Sequence, residues 1–181
     1  DGARLANAAA YLDCPLAELA ECADVLTFGG TKNGAIGAEA LVVMRADLVA
    51  DVPYLRKQQT QLTSKMRFVA AQFGALLADD LWRRNATHAN AMARRLADGV
   101  RDVAGVEIVY PVQANAVFAR LGARHIAALQ QNWIFHVWDE RASVVRWMTA
   151  FDTSPADVDA FLADIRATAG ASPGNESPAF T

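Results

Sequence analysis

Long apolar runs are missing from this 181-residue chain: none approaches the roughly 20 residues that cross a bilayer, and no charged segment leads into a signal-like apolar stretch. No membrane partner is expected, and a cytoplasmic location follows. Charge of one sign is also scarce. The net charge is −3, and arginines alternate with acids instead of forming a basic block, so nothing attracts nucleic acid. Cysteine is limited to Cys14 and Cys22, without His or Cys partners at zinc spacing. They are expected to be buried or idle thiols in a reducing compartment, and no metal is expected. His88, His125 and His136 lack both a nucleophile partner and metal spacing, and read as structural; His136, in an aromatic strand, is the one with a route to a cleft. No methionine opens the sequence, and the chain reads as beginning inside a larger protein. What is present is 53% hydrophobic residues, enough for a sizeable core in one or two domains.

The most informative local feature is Thr27-Phe28-Gly29-Gly30-Thr31-Lys32-Asn33-Gly34-Ala35, directly after the apolar run Ala23-Asp24-Val25-Leu26. Glycines let backbone approach a bulky ligand, and Thr27 and Thr31 offer short hydroxyl donors. The chain returns to strand-like residues at Leu41-Val42-Val43-Met44, so Lys32 is expected on a connection between two buried elements. A poorly solvated lysine amine becomes a nucleophile near neutral pH and condenses with aldehydes. A lysine on a solvated turn is the other reading of this segment.

Residues 1–50 mix short strands and a helix, as at the end of a larger sheet domain, and residues 51–105 read as connecting helices. The first of these runs from Leu55 to about Leu81, with an interruption near Gly74. The second spans Ala86 to Val100, with Ala89, Met92, Ala93 and Leu96 on one face. After Gly105, Val106–Tyr110, Ala116–Leu121, Ile134–Trp138 and Val144–Met148 are strand candidates around a helix over 123–131. A last helix starts with Ser154 as N-cap, Pro155 and Asp157, and carries the stripe Val158, Phe161, Leu162 and Ile165. Residues 106–169 thus form a small α+β domain, with the Trp and Phe residues between 133 and 151 in its core. Residues 170–181 are expected to be a flexible tail.

Arg146 lies within an apolar strand, alternating with Val144 and Met148, where an unpaired charge is costly. It needs an anion: either Asp139 or Glu140 across a hairpin, or a ligand carboxylate. Arg56, Lys57, Lys65 and Arg67 form a further basic group, which reads either as a solvated helix face or as a phosphate contact.

Asp1-Gly2-Ala3-Arg4, the Thr-Lys-Asn-Gly turn, and Val144-Val145-Arg146-Trp147 resemble the C-terminal half of a pyridoxal-phosphate enzyme. Together with Arg56-Lys57-Gln58, Ser64 to Phe68, Ala71-Gln72 and Asp79 to Ala86, they are most similar to the low-specificity L-threonine aldolases, from Asp1 to about Ile165. The resemblance implies an α/β fold, the C-terminal part of the aspartate-aminotransferase-like (fold type I) architecture, with a large-domain remnant and an α+β small domain. It implies pyridoxal 5'-phosphate as cofactor, with Lys32 as the catalytic Schiff-base lysine. Asp1 would face the pyridine nitrogen, Arg4, Thr27 and Thr31 would contact the cofactor, and Arg4 and Arg146 would bind the substrate. The implied reaction is cleavage of a β-hydroxy-α-amino acid such as L-threonine or L-allo-threonine to glycine and an aldehyde. The implied assembly is a homo-oligomer, dimer or tetramer, at full length. A β-eliminating amino-acid lyase and a non-catalytic truncated domain are the alternatives. The family's Gly/Thr-rich phosphate turn and its ring-stacking histidine lie in the N-terminal half and are absent here, so the chain alone is expected to be inactive.

Overall fold

The computed structural model of the protein describes residues 1–169; the tail expected beyond them lies outside the described residues. Cα proximity divides the chain into two units: Asp1–Asn90 with Ala150–Asp152, and Ala91–Thr149 with the residues from Thr153 on.

In the first unit, helices α1 (Leu5–Leu12) and α2 (Leu16–Ala20) precede strands β1 (Val25–Gly29) and β2 (Glu39–Val43). The two strands pair antiparallel, Val25 opposite Val43 and Gly29 opposite Glu39. Gly2 forms a parallel bridge to Phe28, laying the start of the chain along β1. Ala6, Ala9 and Cys14 pack with Leu76, Trp82 and Ala86 into a small core. Cys22 is exposed, and both thiols are free.

The single long helix expected between Leu55 and Leu81 is two helices, α3 (Val52–Gln58) and α4 (Arg67–Leu77). Gly74 sits inside α4 and does not interrupt it. The break comes earlier, where Thr60 adopts a left-handed φ of 58°. Its N–H bonds the carbonyl of Lys57 at 3.1 Å, and Gln61 N–H bonds that of Arg56 at 2.9 Å. This is a Schellman cap with threonine in the place glycine usually takes. A second break sets off α5 (Leu81–Gly99): Asp79 and Asp80 have φ of 49° and 55°, a region aspartate tolerates, and the Arg84 guanidinium holds the Asp79 carbonyl.

The second unit is built on an antiparallel sheet of four strands in the order β3-β4-β6-β5, formed by β3 (Glu107–Ile108), β4 (Ala116–Arg120), β5 (His136–Asp139) and β6 (Val144–Met148). Helices α6 (Ala123–Leu129) and α7 (Pro155–Ala169) complete it. Strand alternation sends Val117, Ala119, Val145 and Trp147 to one face, against Val158, Phe161, Leu162 and Ile165 of α7, Leu96 of α5 and Val100 just past its end. Gly99 permits the close helix approach, since a Cβ there would lie 2.4 Å from Leu162 Cδ1. Trp133 and Phe135 pack against this core, as expected. Trp138 does not: it is 51% exposed on the opposite face.

Candidate active site

Lys32 occupies a single 3-10 turn, Thr31–Asn33, on the connection from β1 to β2. The turn is closed by Gly34 at φ 111°, a conformation that suits glycine. Asn33, 3% exposed, donates from Nδ2 to the Trp82 carbonyl at 3.0 Å, and Asn85 Nδ2 donates to the Asn33 carbonyl at 2.8 Å. The backbone on the C-terminal side of Lys32 is therefore tied to the first turns of α5. On the N-terminal side, Gly30 N–H bonds the Ala38 carbonyl at 2.9 Å. Lys32 is fixed at its backbone and exposed at its side chain.

That exposure corrects the expectation of a lysine enclosed between buried elements. β1 and β2 have only each other as strand partners among the described residues, and Val25, Leu41 and Val42 remain 42%, 54% and 37% exposed. A two-stranded ribbon has too little surface to enclose its own connection.

The start of the chain runs beside Thr27, the middle residue of β1. Gly2 N–H donates to the Thr27 carbonyl at 2.7 Å and to its hydroxyl at 3.4 Å. A Cβ on Gly2 would lie 2.4 Å from that carbonyl, and one on Gly29 would lie 2.9 Å from Ala3 Cα. Only glycines allow the first three residues to run this close to Thr27–Gly29. Asp1 is exposed, its Oδ1 accepting the Ala3 N–H at 2.8 Å. Arg4 is half-buried at the start of α1. Thr31, like Thr27, is exposed. Five of the six predicted site residues thus belong to one unit, around the two ends of the Thr27–Lys32 segment.

A cavity of about 780 Å³ opens beside this ribbon, lined by Thr27, Leu41, Met66 and Phe73 together with Arg56, Arg67 and the carboxylate of Glu39. Its charged lining is thus mixed, two guanidiniums and one carboxylate on a largely apolar wall. Lys32, Lys57 and Lys65 do not line it.

Arg146 belongs to the second unit. It stands on the sheet face opposite the core, in register with Phe118 of β4 and His136 of β5. Neither Asp139 nor Glu140 pairs with it, and no other carboxylate does among the described residues; Asp139 Oδ1 instead accepts the Ala142 N–H at 2.9 Å. Its Nε is buried without a hydrogen-bond partner, and its guanidinium lies over Trp138, 5.1 Å from the ring centroid. The internal salt bridge considered from the sequence is therefore not formed among the described residues, and the half-buried guanidinium has an aromatic face as its neighbour instead.

With the lysine turn between the two strands of the ribbon and the arginine in the small sheet described, the chain as a whole can be compared with known proteins. Residues 1–123 match the beta-eliminating lyase family. The chain belongs to that family. Over 174 residues it is 46% identical to the low specificity L-threonine aldolase of Pseudomonas aeruginosa, covering 94% of this chain and 50% of that protein. The solved threonine aldolase of Leishmania major superposes with a TM-score of 0.84 at 27% identity, over 93% of this chain and 51% of the other. A Mycobacterium tuberculosis lysine aminotransferase shares the fold alone, at a TM-score of 0.56 and 22% identity, over 92% of this chain and 39% of that one. This lyase-family chain therefore has the fold type I α/β architecture, and it spans about half the length of the curated relatives it matches.

The sequence reading missed two contributors. Asn85 left one faint signal, an asparagine inside a helix, where its side chain favours local hydrogen bonds over helix propagation. Trp138 is expected in the small-domain core with its aromatic neighbours, although it alternates with His136 and so shares a face with it.

Proposed function

We propose that this chain supplies the anchoring lysine and the carboxylate-binding arginine of a pyridoxal-phosphate-dependent aldehyde-lyase that cleaves β-hydroxy-α-amino acids to glycine and an aldehyde. The observation that carries the reading is the Lys32 turn. Of the three lysines in the sequence, Lys32 is the one whose turn is tied to a separate helix by side-chain amides, those of Asn33 and Asn85, with Gly30 bonded on its other side. Lys57 stands in the exposed last turn of α3 and Lys65 in an exposed connection.

The residues present fit the cofactor. What supports this is that the close approach of Gly2 to Thr27 and of Gly29 to Ala3 keeps the start of the chain beside the strand that leads to Lys32, with Asp1 and Thr27 both exposed. Lys32 would hold the aldehyde carbon covalently and afterwards carry protons at Nζ. Asp1 would keep the pyridine nitrogen protonated, with Thr27 and Thr31 as hydroxyl donors and Arg4 beside the same edge. Pyridoxal phosphate, when bound, supplies an electron sink for the pair left at Cα. Arg146 would take the substrate α-carboxylate through its fork, fixing which bond at Cα is broken.

The reading extends to an assembly of copies at the length of the relatives, working in the cytoplasm on a small amino-acid substrate. The 46% identity to an aldolase favours retro-aldol cleavage over elimination within the family. Product analysis from L-threonine tests it: glycine with acetaldehyde supports the aldolase reading, and 2-oxobutanoate with ammonia opposes it.

A further inference from the structure

Strand β5 carries an irregularity exactly one residue long beside Arg146. Val137 pairs with Val145 and Asp139 with Val144, which leaves Trp138 as the extra residue of a β-bulge. Bulges re-aim a side chain and sharpen the local twist. Here the bulged residue is a tryptophan, 51% exposed, whose ring meets the Arg146 guanidinium at 5.1 Å. Phe118 braces the indole edge-on, at 5.3 Å and 76°, and Tyr110 braces Phe118 in the same way at 5.4 Å. His136 touches the indole from its own strand at 6.4 Å.

Core packing does not account for this arrangement, because the row of rings lies on the face turned away from the core. The arginine does account for it. A carboxylate placed beside Arg146 would satisfy its charge but would also compete with any incoming anion. An aromatic face attracts the cation through its quadrupole and leaves the hydrogen-bonding edge of the fork open. We propose that Trp138 is a positioning residue for Arg146, holding the guanidinium by one face so that its edge is presented to a carboxylate. This rests on the reading of Arg146 as the carboxylate clamp.

The test uses the 181-residue chain and Nε–H nuclear magnetic resonance of its arginines, with the Arg146 signal identified by its loss in Arg146→Lys. In the parent chain that signal is expected to carry the upfield ring-current shift of an indole and to move on titration with acetate. Trp138→Ala should abolish the ring-current shift and weaken acetate binding on the order of 3- to 10-fold, as befits a partly exposed cation–π contact. Trp138→Phe should restore most of the affinity. Because the indole is half exposed and outside the core, circular dichroism of Trp138→Ala should match the parent. Acetate affinity unchanged in Trp138→Ala, with the parent responding, would overturn this inference and leave the clamp reading intact. A parent chain whose Arg146 signal ignores acetate would overturn both.

Discussion

Asn85 Nδ2 donates a 2.8 Å hydrogen bond to the carbonyl of Asn33, the residue that follows Lys32. Asn33 answers with its own side chain, bonding the Trp82 carbonyl one helical turn earlier on α5. The lysine turn is thereby stapled to a helix by two amides in opposite directions, and Lys32 inherits its placement from residues that carry no reactive group.

Removing the staple should loosen the turn without unfolding the unit. Asn85→Ala takes away one side-chain hydrogen bond to a part-buried carbonyl, which costs about 1 kcal/mol, rising toward 3 if the carbonyl stays dry. Urea denaturation should show a loss in that range, with faster amide exchange at Gly34 and Ala35. A variant as stable as the parent, with unchanged exchange at those amides, would show that the staple does not fix the turn.

Covalent capture should be confined to one amine. With pyridoxal phosphate in excess, borohydride reduction and peptide mapping should place the added mass on Lys32. Its appearance on Lys57 or Lys65 would sink the assignment, since both lie in exposed segments with no comparable staple.

Arg146→Lys keeps the charge and removes the planar fork. In an enzyme of the relatives' length built on this chain, KM for the amino acid should rise, with a loss of about 1.5–3 kcal/mol in kcat/KM, the range for a charge-assisted contact. Unchanged kinetics would mean that the guanidinium edge binds no carboxylate.

The second unit should lose stability in mild acid. His125 is half-buried, and its Nε2 lies 3.1 Å from the Ile165 carbonyl; since a carbonyl only accepts, Nε2 carries the proton. Burial pulls its pKa below the ordinary histidine value, partly offset by that hydrogen bond. A depressed histidine binds fewer protons folded than unfolded, so its contribution is fully present above the unfolded value near 6.5 and is lost as pH falls through the folded one. Unfolding free energy measured between about pH 7 and 5 should fall, and His125→Gln should flatten that fall. Identical pH profiles for parent and variant would refute the assignment.

Features written in adjacent residues were legible in the sequence. Ser154, Pro155 and Asp157 announce the start of α7, and the structure closes the box: Ser154 Oγ accepts the Asp157 N–H at 3.2 Å while the Asp157 carboxylate accepts the Ser154 N–H at 2.8 Å. The Ser154 hydroxyl, and then its backbone, hold the Asp157 carboxyl below the usual range. The Lys32 turn was legible because its glycines and hydroxyls are contiguous. The end of α3 was not, because Thr60 takes a left-handed conformation with no Gly or Pro to signal it. Nor was Trp138 under Arg146, since a bulge is a matter of register between β5 and β6, fixed only when the strands pair. The exposure of Lys32 was misjudged for a related reason: local pattern identifies strands but not how many neighbours they have.

The most direct test replaces the corresponding half of the Pseudomonas aeruginosa relative with this chain and analyses the products from L-threonine with cofactor present. The account predicts glycine and acetaldehyde in equal amounts, abolished by Lys32→Ala. It also predicts that the 181-residue chain alone gives no turnover and loses pyridoxal phosphate on dialysis. Formation of 2-oxobutanoate and ammonia, or turnover that survives Lys32→Ala, would contradict it.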